Sequence, residues 1–221
     1  MAHLTQEAVI SLAIGYAFGL ILLGYFLGRL SHVDIRKLGS GNVGTTNATR
    51  VLGWKKGLLT LLCDVGKGFA AAGVVWLLFH GREPITAEEL RLLMVYAAFG
   101  AILGHDFPIY MKFRGGKGVA TSLSFLVVVN PRIALATALV FVVTVLITHY
   151  VSLGSILGDG IATCMAFLWG GLDFYQTEDW VHREAAVLFG IAAAILLIKH
   201  HANIGRLIRG EENRLELKKK P

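Results

Sequence analysis

Seven apolar runs, roughly 9–30, 57–79, 91–107, 119–130, 132–149, 153–172 and 185–199, account for most of this chain. Crossing a bilayer as a helix takes about 20 residues, with a range of roughly 17–25. The pattern predicts an all-α polytopic membrane protein, with seven transmembrane helices in a single domain over 1–221. Charge agrees: 16% of the 221 residues are charged, against about 25% in a soluble domain, and mean hydropathy is +0.62. The fourth run is short and ends at Asn130-Pro131. Proline disfavours helix at the residue before it, so the fourth and fifth runs form a tight hairpin, or the fourth is a partial span. The N-terminus lacks a positive region and a small-x-small site before its apolar stretch, which reads as the first membrane helix rather than a cleaved signal. Cys63 and Cys164 fall inside apolar runs and are expected to be buried, reduced thiols.

Loop charges orient the spans. Segment 31–56 carries Arg36, Lys37, Arg50, Lys55 and Lys56 against Asp34, and 108–118 carries Lys112, Arg114 and Lys117 with no acid. The tail from Lys199 adds Arg206, Arg209, Arg214, Lys218, Lys219 and Lys220. By contrast, 80–90 sets Arg82 against three glutamates, and 173–184 sets Arg183 against Asp173, Glu178, Asp179 and Glu184. Lysine and arginine mark cytoplasmic loops, which puts the N-terminus outside and the C-terminus in the cytoplasm. The net charge of +6 reflects that bias. No basic stripe with interleaved aromatics supports nucleic-acid binding.

Three polar clusters interrupt the apolar pattern, and the topology brings them to the cytoplasmic face. The first, Gly39-Ser40-Gly41-Asn42-Val43-Gly44-Thr45-Thr46-Asn47-Ala48-Thr49-Arg50, offers closely spaced N–H groups, hydroxyls, two amides and a cation. That chemistry suits an oxyanion, above all a phosphate. The second, Phe113-Arg114-Gly115-Gly116-Lys117-Gly118, leads into an apolar helix whose start favours negative charge. It is not a nucleotide P-loop, because position 111 is methionine and position 118 glycine. The third, His200-His201-Ala202-Asn203-Ile204-Gly205-Arg206, places His200, Asn203 and Arg206 on one face of a continuing helix. A fourth polar element is the turn 148–155 with Ser152 and Ser155. Asp64 and Lys67, three residues apart in the second run, read as an ion pair supporting the site from beneath. His105 is either a base or an interfacial histidine. No metal is called for, since the histidines are dispersed and lack suitably placed carboxylates. No other cofactor is called for either.

Together the clusters resemble the PlsY family of bacterial acyl-phosphate:glycerol-3-phosphate acyltransferases. The matching elements are Gly-Ser-Gly-Asn-x-Gly-Thr-Thr-Asn-x-x-Arg at 39–50, Gly-His-x-Phe-Pro at 104–108, Phe-x-Gly-Gly-Lys-Gly-Val-Ala at 113–120, and His-x-x-Asn-Ile-x-Arg-Leu at 200–207, with Gly210 and Glu212 beyond. His201 departs from the pattern, where a basic, arginine-like residue is expected. The His-x4-Asp pair of other glycerolipid acyltransferases follows none of the eight histidines.

The resemblance implies transfer of a fatty acyl chain from acyl phosphate to the sn-1 hydroxyl of glycerol 3-phosphate, giving lysophosphatidic acid and inorganic phosphate. This is the first step of phospholipid synthesis, at the bacterial inner membrane. An acyl-phosphate-forming enzyme would act upstream, membrane lipid would receive the product, and no nucleic acid takes part. In this reading Gly41, Asn42, Gly44, Thr45, Thr46 and Asn47 cradle the acyl-phosphate phosphate, with Ser152 and Ser155 nearby. Arg50 and Lys117 neutralise charge and place glycerol 3-phosphate, and Gly115, Gly116, Gly118 and Arg206 are further substrate- or phosphate-binding residues. Ser40 and Asn203 position the reacting groups, and His200 either orients the glycerol hydroxyl or acts as its base. The competing reading is a membrane transporter of phosphate or an organophosphate. Transporters, however, hold their polar groups near the midplane, within repeats.

Overall fold

The computed structural model describes residues 4–169 and 179–215. The acidic residues expected at 173–178 and Lys218, Lys219 and Lys220 lie outside them. The described residues form ten α-helices: α1 (Thr5–Gly19), α2 (Leu23–Leu30), α3 (Thr45–Leu52), α4 (Trp54–Phe79), α5 (Ala87–Asp106), α6 (Val119–Val129), α7 (Pro131–Thr148), α8 (Val151–Trp169), α9 (Asp179–Lys199) and α10 (His201–Ile208).

The described residues do not carry the seven transmembrane helices expected from the apolar runs. Five helices are long and apolar enough to cross a membrane: Thr5–Leu30, Trp54–Phe79, Ala87–Met111, Pro131–Thr148 and Trp180–Lys199. The apolar stretches Val119–Val129 and Val151–Phe167 are shorter. At about 1.5 Å per residue, the 11 residues of α6 fall well short of a bilayer core of about 30 Å. The helix ends where the proline places its end. Asn130 is extended (φ −161°), and its side chain accepts from Arg132 N at 2.9 Å to cap α7. The freed carbonyls of α6 are covered from α5, where the Arg91 guanidinium donates to Val128 O and Val129 O at 2.9–3.2 Å. Hydropathy counts apolar residues but does not register a cation that lets a helix stop early.

Helix α5 is the axis of the bundle, contacted by α1, α4, α6 and α9, while α7 and α8 pair alongside. Glycine sets the α1–α5 spacing. A Cβ at Gly15 would overlap Ala97 O, one at Gly100 would overlap Leu12 O, and one at Gly104 would overlap Tyr16 O. The two helices therefore meet backbone to backbone, as small-residue spacing allows in lipid. Apolar side chains fill the rest, with Phe99, Phe125 and Phe189 packed between α5, α6 and α9.

The first span, read from sequence as one helix, breaks between α1 and α2. The exposed carbonyls find partners on distant helices: Tyr110 Oη donates to Leu20 O at 2.7 Å, and Lys67 Nζ lies 3.4 Å from Gly19 O and 3.3 Å from Ile21 O. Both cysteines are free, but neither is buried as expected: Cys63 is partly exposed and Cys164 exposed. A helix face turned to lipid need not hide its apolar side chains.

Candidate active site

The Gly39–Arg50 loop is organised by one side chain. Asn47, 1% exposed, donates through Nδ2 to Ile35 O (3.1 Å), Leu38 O (3.1 Å) and Asn42 O (2.8 Å), and accepts from Ser40 N at 2.8 Å. Its amide is thus occupied in folding the loop. Gly39 and Gly41 take left-handed φ of +59° and +72°, which a side chain would strain. Asn42 Oδ1 receives Gly44 N at 2.8 Å and turns the chain into α3. No side chain caps α3, and the Thr45 hydroxyl is buried without a partner. The first turn of α3 therefore presents uncompensated donors, the arrangement that favours an anion. Ser40, Gly41 and Arg50 are exposed.

The second cluster is folded back against the end of α5. Gly115 N donates to Asp106 O at 3.1 Å and Gly116 N to His105 O at 2.9 Å. Gly118 adopts φ +69° at the start of α6, again without a side-chain cap. Met111 joins this segment to the first cluster, packing with Leu22, Ile35, Val43 and Ala48.

The third cluster begins α10, whose start also lacks a side-chain cap. Lys117 joins it to the second by donating to Asn203 Oδ1. Asn203 Nδ2 donates to Glu212 Oε1 at 2.8 Å, and Glu212 Oε2 accepts from Arg206 Nε at 2.8 Å. Burial, the neighbouring Arg206 and the neighbouring Lys199 lower the Lys117 ammonium to about 8, opposed by Glu212. His200 is 2% exposed, with Nδ1 2.9 Å from Leu196 O. That carbonyl requires the proton on Nδ1 and leaves a lone pair on Nε2. Burial pushes His200 down to about 4, so it is neutral near pH 7.

The fourth element is tied in by the tail after α10. Leu215 N donates to His149 O at 2.7 Å, and the Arg214 guanidinium sits 5.3 Å from the Tyr150 ring centre. The Ser152 hydroxyl is buried and unpartnered, whereas Ser155 Oγ is bonded back to Val151 O at 2.9 Å.

The expected residues are thus drawn to one end of the bundle through Met111, Lys117 and the 211–215 tail. Two members were not among the expected site residues. Glu212, noted only as part of the resemblance, holds both Asn203 and Arg206; its signal was a carboxylate in a tail otherwise dominated by cations. Lys199 donates to Asp106 O at 2.7 Å and lies 4.4 Å from the Phe107 ring centre. Among the described residues no three His, Cys, Asp or Glu side chains are grouped to hold a metal.

Comparison with known proteins shows the family and the fold. The family profile described as glycerol-3-phosphate acyltransferase matches residues 9–210. A glycerol-3-phosphate acyltransferase of Chlorobaculum parvum is 38% identical over 96% of this chain and 97% of its own. One of Staphylococcus aureus is 38% identical over 94% and 98%. The crystal structure of PlsY (YgiH), an integral membrane glycerol 3-phosphate acyltransferase, superposes in its glycerol 3-phosphate form with a TM-score of 0.78. Identity is 33%, covering 95% of this chain and 96% of that one. Its lysophosphatidic acid form gives 0.75, covering 94% of each.

Proposed function

The chain belongs to the glycerol-3-phosphate acyltransferase family, and from that premise we propose how its residues carry out the transfer. The donor is acyl phosphate and the acceptor is the sn-1 hydroxyl of glycerol 3-phosphate. The hydroxyl oxygen bonds to the acyl carbonyl carbon and the carbonyl–phosphate C–O bond breaks. The hydroxyl proton ends on the departing phosphate, directly or by way of His200 Nε2. Lysophosphatidic acid and inorganic phosphate leave.

One observation carries the residue assignment: three uncapped helix starts, those of α3, α6 and α10, belong to the three polar clusters, and each cluster holds a cation. Two phosphate-bearing substrates need two such sites. The start of α3, with Thr45, Thr46, Gly41, Asn42 and Gly44, takes the acyl-phosphate phosphate, and the unpartnered Ser152 hydroxyl is a further donor for it. Asn47 serves by folding that loop. Arg50, Lys117 and Arg206 neutralise glycerol 3-phosphate over Gly115, Gly116 and Gly118. Ser40 and Asn203 position the reacting groups. Acyl phosphate is already an activated anhydride, so fixed donors and proximity supply most of the rate.

The site faces the cytoplasm. Arg36, Lys37, Arg50, Lys55, Lys56, Lys112 and Arg114 all lie in segments 31–56 and 108–118, in keeping with the bias of cytoplasmic segments toward lysine and arginine. A water-soluble acceptor reaches the site there, an acyl-phosphate-forming enzyme supplies the donor, and the product leaves into membrane lipid.

The roles are tested in purified protein. Arg50→Ala and Lys117→Ala should each lower transfer by ~10²–10³-fold while leaving the protein folded in detergent; near-normal turnover in either removes that residue from the anion site. Uptake of radiolabelled phosphate into proteoliposomes without product formation would instead support transport.

A further inference from the structure

Beneath Gly115 and Gly116 lies a buried charged cluster that the proposed transfer does not use. Asp64 and Lys67 from α4 and His105 from α5 are 2%, 4% and 3% exposed. The Lys67 ammonium donates to Asp64 Oδ1 at 2.9 Å and lies 2.6 Å from His105 Nδ1. Its remaining direction faces the carbonyls of Gly19 and Ile21 at the α1–α2 break. Buried charges persist when paired and hydrogen-bonded, and all of these partners are needed to satisfy this one. An ammonium has hydrogens and no lone pair, so with Lys67 charged His105 Nδ1 accepts from it and the ring proton resides on Nε2, although Nδ1 also lies 3.3 Å from Asp64 Oδ1. Nε2 is the edge on which the glycine loop rests: a Cβ at Gly116 would overlap it. His105 O and Asp106 O receive the two glycine N–H groups. The next residue is Lys117.

We propose that Asp64, Lys67 and His105 form a positioning device that sets Lys117 against glycerol 3-phosphate. The inference rests on the assignment of Lys117 to that substrate. One ammonium ties the broken first span and α4 to the imidazole under the loop, so the height of Gly116 is fixed by three elements at once. A cluster that only stabilised the bundle would affect both substrates alike when lost. A positioning cluster acts through Lys117 and therefore on one substrate.

The test measures KM for glycerol 3-phosphate and for acyl phosphate separately, in folded protein judged by thermal unfolding. His105→Ala and Lys67→Met should raise KM for glycerol 3-phosphate about tenfold or more, since small displacements of a positioned group are costly, while leaving KM for acyl phosphate within about twofold. His105→Asn, which restores an acceptor for Lys67, should recover part of the loss. Equal changes in both constants, or none, overturn the inference provided Lys117→Ala raises KM for glycerol 3-phosphate. If Lys117→Ala leaves that constant unchanged, the Lys117 assignment itself fails and takes this inference with it. Should the charge variants not fold, Gly116→Ala tests the same contact from the loop side. Its methyl group should raise the same KM about tenfold while leaving KM for acyl phosphate within about twofold; a wild-type KM for glycerol 3-phosphate, or equal changes in both constants, overturns the inference.

Discussion

Lys117 and Asn203, 86 residues apart in the chain, are joined by a hydrogen bond from the ammonium to the side-chain carbonyl. The bond fixes the orientation of the Asn203 amide, because Nδ2 is already directed at Glu212. It also brings the start of α6 to the start of α10. Lys117→Ala should lower kcat/KM by ~10²–10³-fold, the scale of a lost donor at a developing charge. Asn203→Asp should be similarly harmful, because it places a second carboxylate beside Glu212. Steady-state assay of both variants checks this; wild-type values in Asn203→Asp would show that the amide is not needed.

The pH profile should carry the signature of Lys117. Burial holds its ammonium near 8, so the charged form prevails below that pH and is lost as pH rises through it. The kcat/KM for glycerol 3-phosphate should therefore fall above pH ~8, reporting the free enzyme. Lys117→Arg keeps its charge at higher pH and should lose this limb. His200, held down to about 4 by burial, is neutral across the range in which an ordinary histidine titrates, at about 6.5. It should therefore contribute no limb between about pH 5 and 7. A limb near 6 that disappears in His200→Ala would contradict this.

Glu212 is 6% exposed at its side chain and pairs with Arg206 at 2.8 Å. Glu212→Ala removes the acceptor of Asn203 Nδ2 and of Arg206 Nε, and should cost about 1–3 kcal/mol of stability together with activity. Glu212→Gln keeps the acceptor for Asn203 and should fall between. Thermal unfolding in detergent, read beside turnover, distinguishes the two variants; equal behaviour would mean that only the charge matters.

Asn47 should behave as a folding residue of the loop. Asn47→Asp turns three carbonyl-facing donor contacts into repulsions, so it should be worse than Asn47→Ala, which loses them at a cost on the order of 3 kcal/mol. Limited trypsin cleavage after Arg36 or Lys37 should accelerate in both. Unchanged cleavage with lost turnover would make Asn47 a ligand instead.

The parts of the fold legible in the sequence are those with local causes. Asn130-Pro131 ends α6 where the proline rule puts it, and the ion pair three residues apart in α4 is present at 2.9 Å. The missed features depend on distant partners. Nothing in the apolar stretch around Leu20 announces a helix break, because the groups that donate to its carbonyls are the distant Lys67 and Tyr110. The sequence offered a partial span as one alternative for the 11 residues of α6, but not the reason it can stop early, which is Arg91 donating to its terminal carbonyls. In the site, glycine spacing and cations marked the clusters. That the amide of Asn47 is spent within its own loop, and that Glu212 holds the third cluster together, became evident only in three dimensions.

The most direct test of the central claim, that two anion-binding helix starts serve an acyl phosphate and glycerol 3-phosphate, is a donor comparison. The purified protein is given glycerol 3-phosphate with palmitoyl phosphate or, separately, palmitoyl-CoA, and lysophosphatidic acid and inorganic phosphate are followed together. Equal amounts of both products are expected from palmitoyl phosphate and none from palmitoyl-CoA. Product from palmitoyl-CoA alone would contradict the claim.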